Sequence, residues 1–551
     1  MFDFVQQIIA YSQDKPLLFT QLFFWGFFLL LLIGYSIVYK RNNLKVIYLL
    51  LFSLFFYFKT SGVFILLLLF TICSDFLIAR QIHNSKGIAS KKFFLTLSVL
   101  INLTLLSYFK YAYFFVDSFN TITNHHLQFV NHFALFSNTF FSSHFSVDKL
   151  LLPVGVSFFT FQSLSYTIDI YRQKVNPVKS ITDYGFFVSF FPHLVAGPIV
   201  KAHDFIDQIY QPYRLSKVEF GMALFWILNG FIKKIVADYL AVNFIDRVFD
   251  NPNYYSGLET TFGIFAYSLQ IYMDFSGYTD MAIGLALILG YRLKTNFNSP
   301  YKATSTSEFW KRWHISLSSW LQEYLYIPLG GNRQGSIGSY IAILILCVFL
   351  VLLAGKLWLL YFLLALVALL IGLALVFKKI RAAINTNINL MVTMLLGGLW
   401  HGSSWLFIIW GGLNGLGLII HKLWLKISPF KNTQNLFIKM VLMLITLTFI
   451  SFTRIFFRSD SMQIVSNIFD RLSNHFAMNL FFKVLQSYPY ILSLMAFGYL
   501  IHWIPEKYKL KYRNWFAHQP YWMIGLIAIL VIFTMYQLMS GEMQPFIYFQ
   551  F

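Results

Sequence analysis

Apolar runs long enough to cross a bilayer follow one another along almost the whole chain, and the short segments between them hold most of its charge. A run of roughly twenty apolar residues spans the hydrocarbon core as a helix, because a helix satisfies its own backbone where there is no water. Of 551 residues, 58% are hydrophobic, 12% are charged and 64 are phenylalanine. A soluble domain has too little interior to hide such a surface, so the chain reads as an all-α polytopic membrane protein whose first partner is the lipid bilayer. The formal net charge of +20 would suit nucleic acid. The Lys and Arg residues gather in short loops, however, which is the positive-inside pattern, and no nucleic-acid partner is expected. Cys73 and Cys347 both lie in apolar runs, which excludes a disulfide framework and a thiolate metal site.

Spanning runs begin near Pro16, Leu44, Gly62, Lys92 and Leu150. Lys40, Arg41 and Lys45 mark one face; Arg80, Lys86, Lys91 and Lys92, and then Arg172, Lys174 and Lys179, mark the same face after further pairs of crossings. The loop from Asp117 to Asp148 has no Lys or Arg, which places it and the N-terminus outside the cytoplasm. Its histidines, His125, His126, His132 and His144, lack a carboxylate or an i, i+4 partner, so no metal is expected there. The runs add up to about fourteen crossings, with N-terminal helices over 1–148 and a core over 149–551.

Tyr184 to Val200 is apolar, too short to cross and broken by PHLVAGP. Such a segment can sit at membrane depth only where protein or a water-lined cavity satisfies its backbone, so it is expected to be re-entrant. His193 within it either lines a reaction chamber or supports the broken backbone. Lys233 and Lys234 snorkel or face a polar interior. Asp274 and Asp280, in YMDFSGYTDMAIG, are six apart on a helix and do not form an acid pair. Asp280 either orients a catalytic group or belongs to a buried polar knot between helices.

The chemistry concentrates in two stretches, Ser299 to Arg333 and Gly397 to Ser403. Each carries a Trp-His pair, Trp313–His314 and Trp400–His401. The first stretch reads as amphipathic helices along the membrane surface, the second as part of an apolar span, so the pairs suggest a reactant path between the faces. An imidazole at membrane depth is costly when charged and useful as a neutral base. Lys302, Lys311, Arg312 and Arg333 give the first stretch a positive face that suits anionic lipid or the phosphates of a nucleotide-like donor. Between the stretches, residues 339–377 read as an apolar, lipid-facing helical hairpin. Two other classes of function fit a polytopic chain: a transporter or flippase of a cell-envelope precursor, and a non-catalytic scaffold.

PVGVSFFTFQSLSYTIDIYR from Pro153, FWKRWHISLSSWLQEYLYIPLGGNR, TMLLGGLWHGSSWLFIIWGGLNG and the closing PFIYFQF together resemble the membrane-bound O-acyltransferases. More narrowly they resemble the membrane subunits of the alginate O-acetyltransferase group, which is related to peptidoglycan O-acetyltransferases and teichoic acid D-alanyl transferases. The resemblance implies a multi-helix bundle with a central tunnel, in a bacterial cytoplasmic (inner) membrane. It puts His401 on the family's GLWHG histidine and His314 on its WHIS histidine, and these two are expected to be catalytic. Asp280, Trp400, Trp313, Asn414 and His193 are orienting or tunnel-lining candidates, and Lys302, Lys311, Arg312 and Arg333 are donor-binding candidates. It further implies no bound cofactor, acetyl-CoA as the donor substrate, a polysaccharide acceptor, and an extracytoplasmic partner protein resembling SGNH hydrolases. One departure is visible: His314 and His401 stand 87 residues apart, where several tens are usual, and the 339–377 hairpin accounts for the excess.

Overall fold

The computed structural model describes Tyr11 and residues 17–141, 143, 145–147, 152–354, 357–431, 433–538 and 545–547. Among them every regular element is helical, as expected where backbone groups must bond within their own segment. Among the described residues six helical stretches are long and apolar enough to cross a membrane, or up to eight if two sharply bent pairs each count as one. The sequence count of about fourteen runs is larger: the runs beginning near Leu44 and Gly62 fall in one helical stretch, Asn42–Asn84, and others are shorter helices. Leu22–Val38 has 17 residues, and the run beginning near Leu150 yields the 16-residue helix Val156–Tyr171. The 339–377 run forms two helices, Ile337–Ala354 and Leu357–Val376, which expose apolar side chains such as Leu344, Trp358 and Phe362.

The bundle is built around the 32-residue helix Gly257–Ile288, which is buried along most of its length, and its neighbour Lys217–Leu240. Each begins with a capping box, Ser256 with Glu259 and Ser216 with Glu219, which satisfies free N–H groups at the helix start. Glycines bring the two backbones together: a Cβ on Gly230 would lie 2.5 Å from the Gly277 carbonyl oxygen. Without a hydrophobic force between helices in lipid, such close approach is what holds them. Buried and half-buried charges lie on the same seam. Lys234 Nζ donates to Asp274 at 2.8 Å and Asp238 at 2.7 Å, and Lys233 Nζ to Asp280 at 2.5 Å, with Asn229 Nδ2 adding 2.6 Å to the same Asp280 oxygen. Adjacent lysines diverge by about 100° around a helix, so each reaches its own carboxylate. Both therefore face the protein interior, and Asp280 is bonded into the knot that pairs the two helices. Near the C-terminus, Ile547 N–H donates to Asp274 at 2.8 Å and Phe546 packs on Tyr278, so this part of the tail is tucked into the core.

The broken segment is two short helices, Ile181–Ser189 and Phe191–Leu194, and every residue from Tyr184 to Val200 is buried. Its unpaired backbone donors find side-chain oxygens on other elements. Phe191 N–H donates to Ser53 Oγ at 3.2 Å, Ile199 N–H to Ser316 Oγ at 3.0 Å, and Ala202 N–H to Ser165 Oγ at 3.2 Å. This is how irregular backbone survives at depth. His193 is fully buried here, with Nε2 at 3.0 Å from the Phe187 carbonyl and its ring against Phe190 and Phe205.

Replacing Asp280 by Ala leaves the buried Lys233 ammonium and the Asn229 amide facing each other without their shared acceptor. The expected loss is about 3–5 kcal/mol, read as a lowered unfolding temperature in detergent, with Asp280→Asn losing less. An Asp280→Ala protein as stable as the wild type would show that this knot does not hold the helix pair.

Candidate functional site

The Thr306–Arg312 helix ends where Trp313 N–H reaches back to the Phe309 carbonyl at 2.8 Å, and the next residue, His314, takes φ +45. A side chain other than glycine is uncommon in that left-handed region and needs external support. Asn296 supplies it. Its carbonyl oxygen accepts from Ile315 N–H at 2.9 Å, and its side-chain Oδ1 meets Ser316 N at 3.1 Å, Ser316 Oγ at 2.9 Å and His314 Nδ1 at 3.2 Å. Since the Ser316 N–H can only donate, the Asn296 atom it meets is the oxygen. His314 Nδ1 therefore carries the hydrogen in this bond, and Nε2 holds the lone pair.

His401 closes the Lys378–His401 helix. That helix lies against Trp405–Ile427 with glycines in contact: a Cβ on Gly411 would lie 2.4 Å from the Met394 carbonyl oxygen, and one on Gly398 2.3 Å from that of Phe407. The two histidines, placed by the sequence at different depths, meet. Their ring centroids are 6.3 Å apart, and His314 is 0% and His401 3% exposed. Aromatic rings enclose them: Trp400 at 5.0 Å, Trp410 at 5.2 Å and Phe457 at 5.3 Å from His401, and Phe275 at 4.7 Å from His314. The reason for the difference lies in the stretch that carries His314. Its apolar residues Phe309, Trp313, Leu317 and Trp320 are buried against protein, where a helix resting on the membrane surface would turn them to lipid. Trp320, for example, stacks on Phe161 at 3.8 Å.

Other sequence candidates fall around this centre or away from it. Trp400 touches both histidines, at 6.0 Å from His314, and stacks on Phe161. Trp313 sits under the Arg454 guanidinium at 4.3 Å. Asn414 spends its amide on the Trp410 carbonyl at 2.9 Å and Thr453 Oγ1 at 3.4 Å. Asp280 and His193 have the helix-pairing and backbone partners described above. A residue the sequence reading passed over does reach the centre: Lys110, buried, with Nζ 2.6 Å from the Trp400 carbonyl oxygen and 3.2 Å from that of His401. Its signal was available, a lone cation inside an apolar run. Asn296 carried no comparable signal. Lys110 and His401 share a cavity of about 20 Å³ with Pro153, Gly155 and Ser157, which is room for about one water-sized group. A larger cleft of about 510 Å³, lined by Arg80, Asn176 and Lys179 among others, contains neither histidine.

The donor-binding candidates do not act as one cluster. Lys302 Nζ donates to the Ile504 carbonyl at 2.5 Å, Arg312 pairs with Glu308 at 2.8 Å and the Asn298 carbonyl at 3.1 Å, and Lys311 and Arg333 are exposed. Beyond them, Glu323 joins Lys174 and Lys201, the latter at 2.7 Å. Asp169, His203 and Glu323 place ligand atoms within 4.8 Å of one another, a spacing a cation can use, but the two lysines already neutralise Glu323.

Two predictions follow from this geometry. In Asn296→Ala, two donors of Ser316 and the His314 Nδ1–H lose a buried acceptor, which should cost about 1–3 kcal/mol in thermal unfolding, while Asn296→Asp, which keeps an oxygen there, should lose less. Equal stability of the Ala variant and wild type would contradict the assigned support. Burial alone would raise the Glu323 carboxyl, but hydrogen bonds from Lys174 and Lys201 outweigh it and hold the group down to about 2, from an ordinary 4.5. A carboxylate lowered on folding contributes stability above pH 4.5 that fades as pH falls toward 2. Glu323→Gln should therefore flatten the acid limb of the unfolding temperature in that window, and an unchanged limb would contradict the pairing.

The chain is similar to known proteins over most of its length. The model of the membrane-bound O-acyltransferase family matches residues 50–384. A peptidoglycan O-acetyltransferase of Helicobacter pylori is 34% identical over 491 residues, 83% of this chain and 80% of the relative. A probable alginate O-acetylase of Azotobacter vinelandii is 40% identical over 330 residues, 60% of this chain and 53% of the relative. A teichoic acid D-alanyltransferase of Streptococcus thermophilus is 26% identical over 288 residues, 51% of this chain and 59% of the relative. The chain thus spans about half the length of the alginate O-acetylases it matches. With an all-helical bundle, several helices fit to cross a membrane and a match across well over half its residues, the chain belongs to the membrane-bound O-acyltransferase family.

Proposed function

We propose that the protein is an O-acetyltransferase of a bacterial cytoplasmic membrane, with its N-terminus outside. It moves an acetyl group from a cytosolic thioester, acetyl-CoA, to an extracytoplasmic polysaccharide of the alginate or peptidoglycan kind. The observation that carries this reading is the meeting of His314 and His401, 87 residues apart in the chain and 6.3 Å apart as rings, in a buried aromatic enclosure. The names of the alginate and peptidoglycan relatives support acetyl as the group and a glycan as the acceptor.

In this reading His401 is the general base. It takes the proton of the attacking hydroxyl as the oxygen bonds to the thioester carbonyl carbon, and the tetrahedral intermediate then expels the CoA thiolate, which receives a proton. A neutral imidazole suits this step because the surrounding aromatic rings offer no counter-charge for an imidazolium at rest. The developing oxyanion needs a donor, for which a Trp or Asn N–H, a backbone amide near Gly402, or His314 is a candidate. The reading has no covalent acyl-enzyme, since the chain has no serine elbow of the hydrolase kind. The cavity beside His401 admits one small group, so the donor path opens by side-chain movement. The glycan itself stays outside, where a partner protein of the SGNH-hydrolase kind completes delivery.

The test is release of CoA and transfer of labelled acetyl by the protein in lipid nanodiscs, supplied with acetyl-CoA and a glycan acceptor. His401→Ala should lower turnover roughly 100- to 10,000-fold, the span of a lost general base. His314→Ala should lower it as well, with the protein remaining folded. Normal turnover by His401→Ala would remove the assignment of the base. No turnover by the wild type with any acceptor would favour a transporter or a scaffold.

A further inference from the structure

Two of the lysines buried in this bundle meet carboxylates, Lys234 with Asp238 and Asp274 and Lys201 with Glu323, while Lys45 donates to the Gln211 carbonyl at 2.9 Å. Lys110, just as deeply buried, is bonded to three neutral oxygens. These are the Trp400 carbonyl at 2.6 Å, the His401 carbonyl at 3.2 Å and Ser157 Oγ at 3.3 Å. Taking an ammonium out of water without a full counter-charge is unfavourable, so a cation in this place calls for compensation. The compensation comes from the Lys378–His401 helix. Its last carbonyls have no partner within the helix and carry the negative end of its dipole.

The clamp is wider than one side chain. Lys110 and Tyr111 both belong to a π-helical turn, Ser107–Tyr111, and Tyr111 OH donates to the Leu399 carbonyl at 2.8 Å. Three consecutive carbonyls at the end of the helix, those of Leu399, Trp400 and His401, are thus gripped from one turn of a neighbouring helix. Turns of this kind are rare and recur at functional sites. The Lys110 ammonium also lies 5.8 Å over the Trp400 ring, and it borders the small cavity that His401 borders.

We propose that Lys110 is a positioning residue for acyl transfer: by gripping the carbonyls of Trp400 and His401 it sets the direction in which His401 presents its ring to the cavity. The proposal rests on the acetyltransferase reading for its effect on turnover, but not for its effect on the ring. A base must meet the hydroxyl proton within hydrogen-bond reach, and a misplacement of about 1 Å can cost on the order of 100-fold. Lys110 itself need not touch either substrate.

Lys110→Met keeps the apolar stem and removes the grip, and Lys110→Arg keeps a cationic donor. With acetyl-CoA as donor in nanodiscs, Lys110→Met should lower kcat by up to about 100-fold while KM stays within about twofold. Lys110→Arg should recover part of the loss. A second readout needs no turnover: the rate at which diethyl pyrocarbonate modifies His401 at pH 8, followed by peptide mass spectrometry. The freed helix end should make His401 several-fold more reactive in Lys110→Met, with the rate at His193, buried elsewhere, unchanged. An unchanged rate at His401, equal acceleration at both histidines, or an effect confined to KM would overturn the proposal. If the wild type transfers no acetyl group, the functional reading fails by itself, and the reactivity of His401 alone decides the role of Lys110.

Discussion

The bond between Asn296 and the turn at His314 is what the rest of the site depends on. One side-chain oxygen takes three donors, and with the backbone bond from Ile315 it holds a histidine in a left-handed conformation that the chain would not adopt alone. This reversal carries His314 inward, under Phe275 and up to His401, and it also selects the nitrogen of His314 that bears hydrogen. Ser316, fastened to the same oxygen, accepts from Ile199 N–H in the broken segment. A single buried amide thus ties together the turn, one catalytic candidate and the irregular backbone beside it.

Several buried polar groups of the bundle are matched by a partner on a different element. Two lysines and two carboxylates pair along the Lys217–Leu240 and Gly257–Ile288 seam, and serines on three elements close the gaps in the broken segment. Such pairs contribute less to stability than their Coulomb energy suggests, because desolvation opposes it, but losing one partner is expensive. They therefore fix which helices lie together. The histidine centre departs from this pattern, since its walls are aromatic and its nearest cation grips carbonyls. Both imidazoles are thereby buried among rings.

Much of this was legible in the sequence, and the part that was not has a common cause. The apolar runs and their bounding charges announced a helical membrane protein, and the WHIS and GLWHG motifs marked both histidines. PHLVAGP announced a break, and the structure breaks there. Hydropathy counts about fourteen crossings, and among the described residues six to eight helical stretches meet the length and composition of a span, since hydropathy does not say where a run is cut into pieces, as at Leu22–Val38. The amphipathic stretch around Trp313 was read against lipid because a helix with one apolar face looks the same whether it packs on a bilayer or on protein. Asn296 and Lys110 act through bonds to residues 18 to 291 positions away, and a single sequence carries no record of such pairings. For Asp280 and His193 the sequence left two roles open each, and their bonds lie with Lys233 and with the Phe187 carbonyl.

The central claim is that His314 and His401 face each other in the folded protein, and short-range cross-linking tests it most directly. In a protein whose Cys73 and Cys347 have been replaced, His314→Cys and His401→Cys are introduced together, and membranes are treated with a short bifunctional thiol reagent before digestion and mass spectrometry. The account predicts a single cross-linked peptide pair joining the two stretches, absent when Asn296 is also replaced by Ala. Two thiols that are each modified singly, with no cross-link between them, would contradict it.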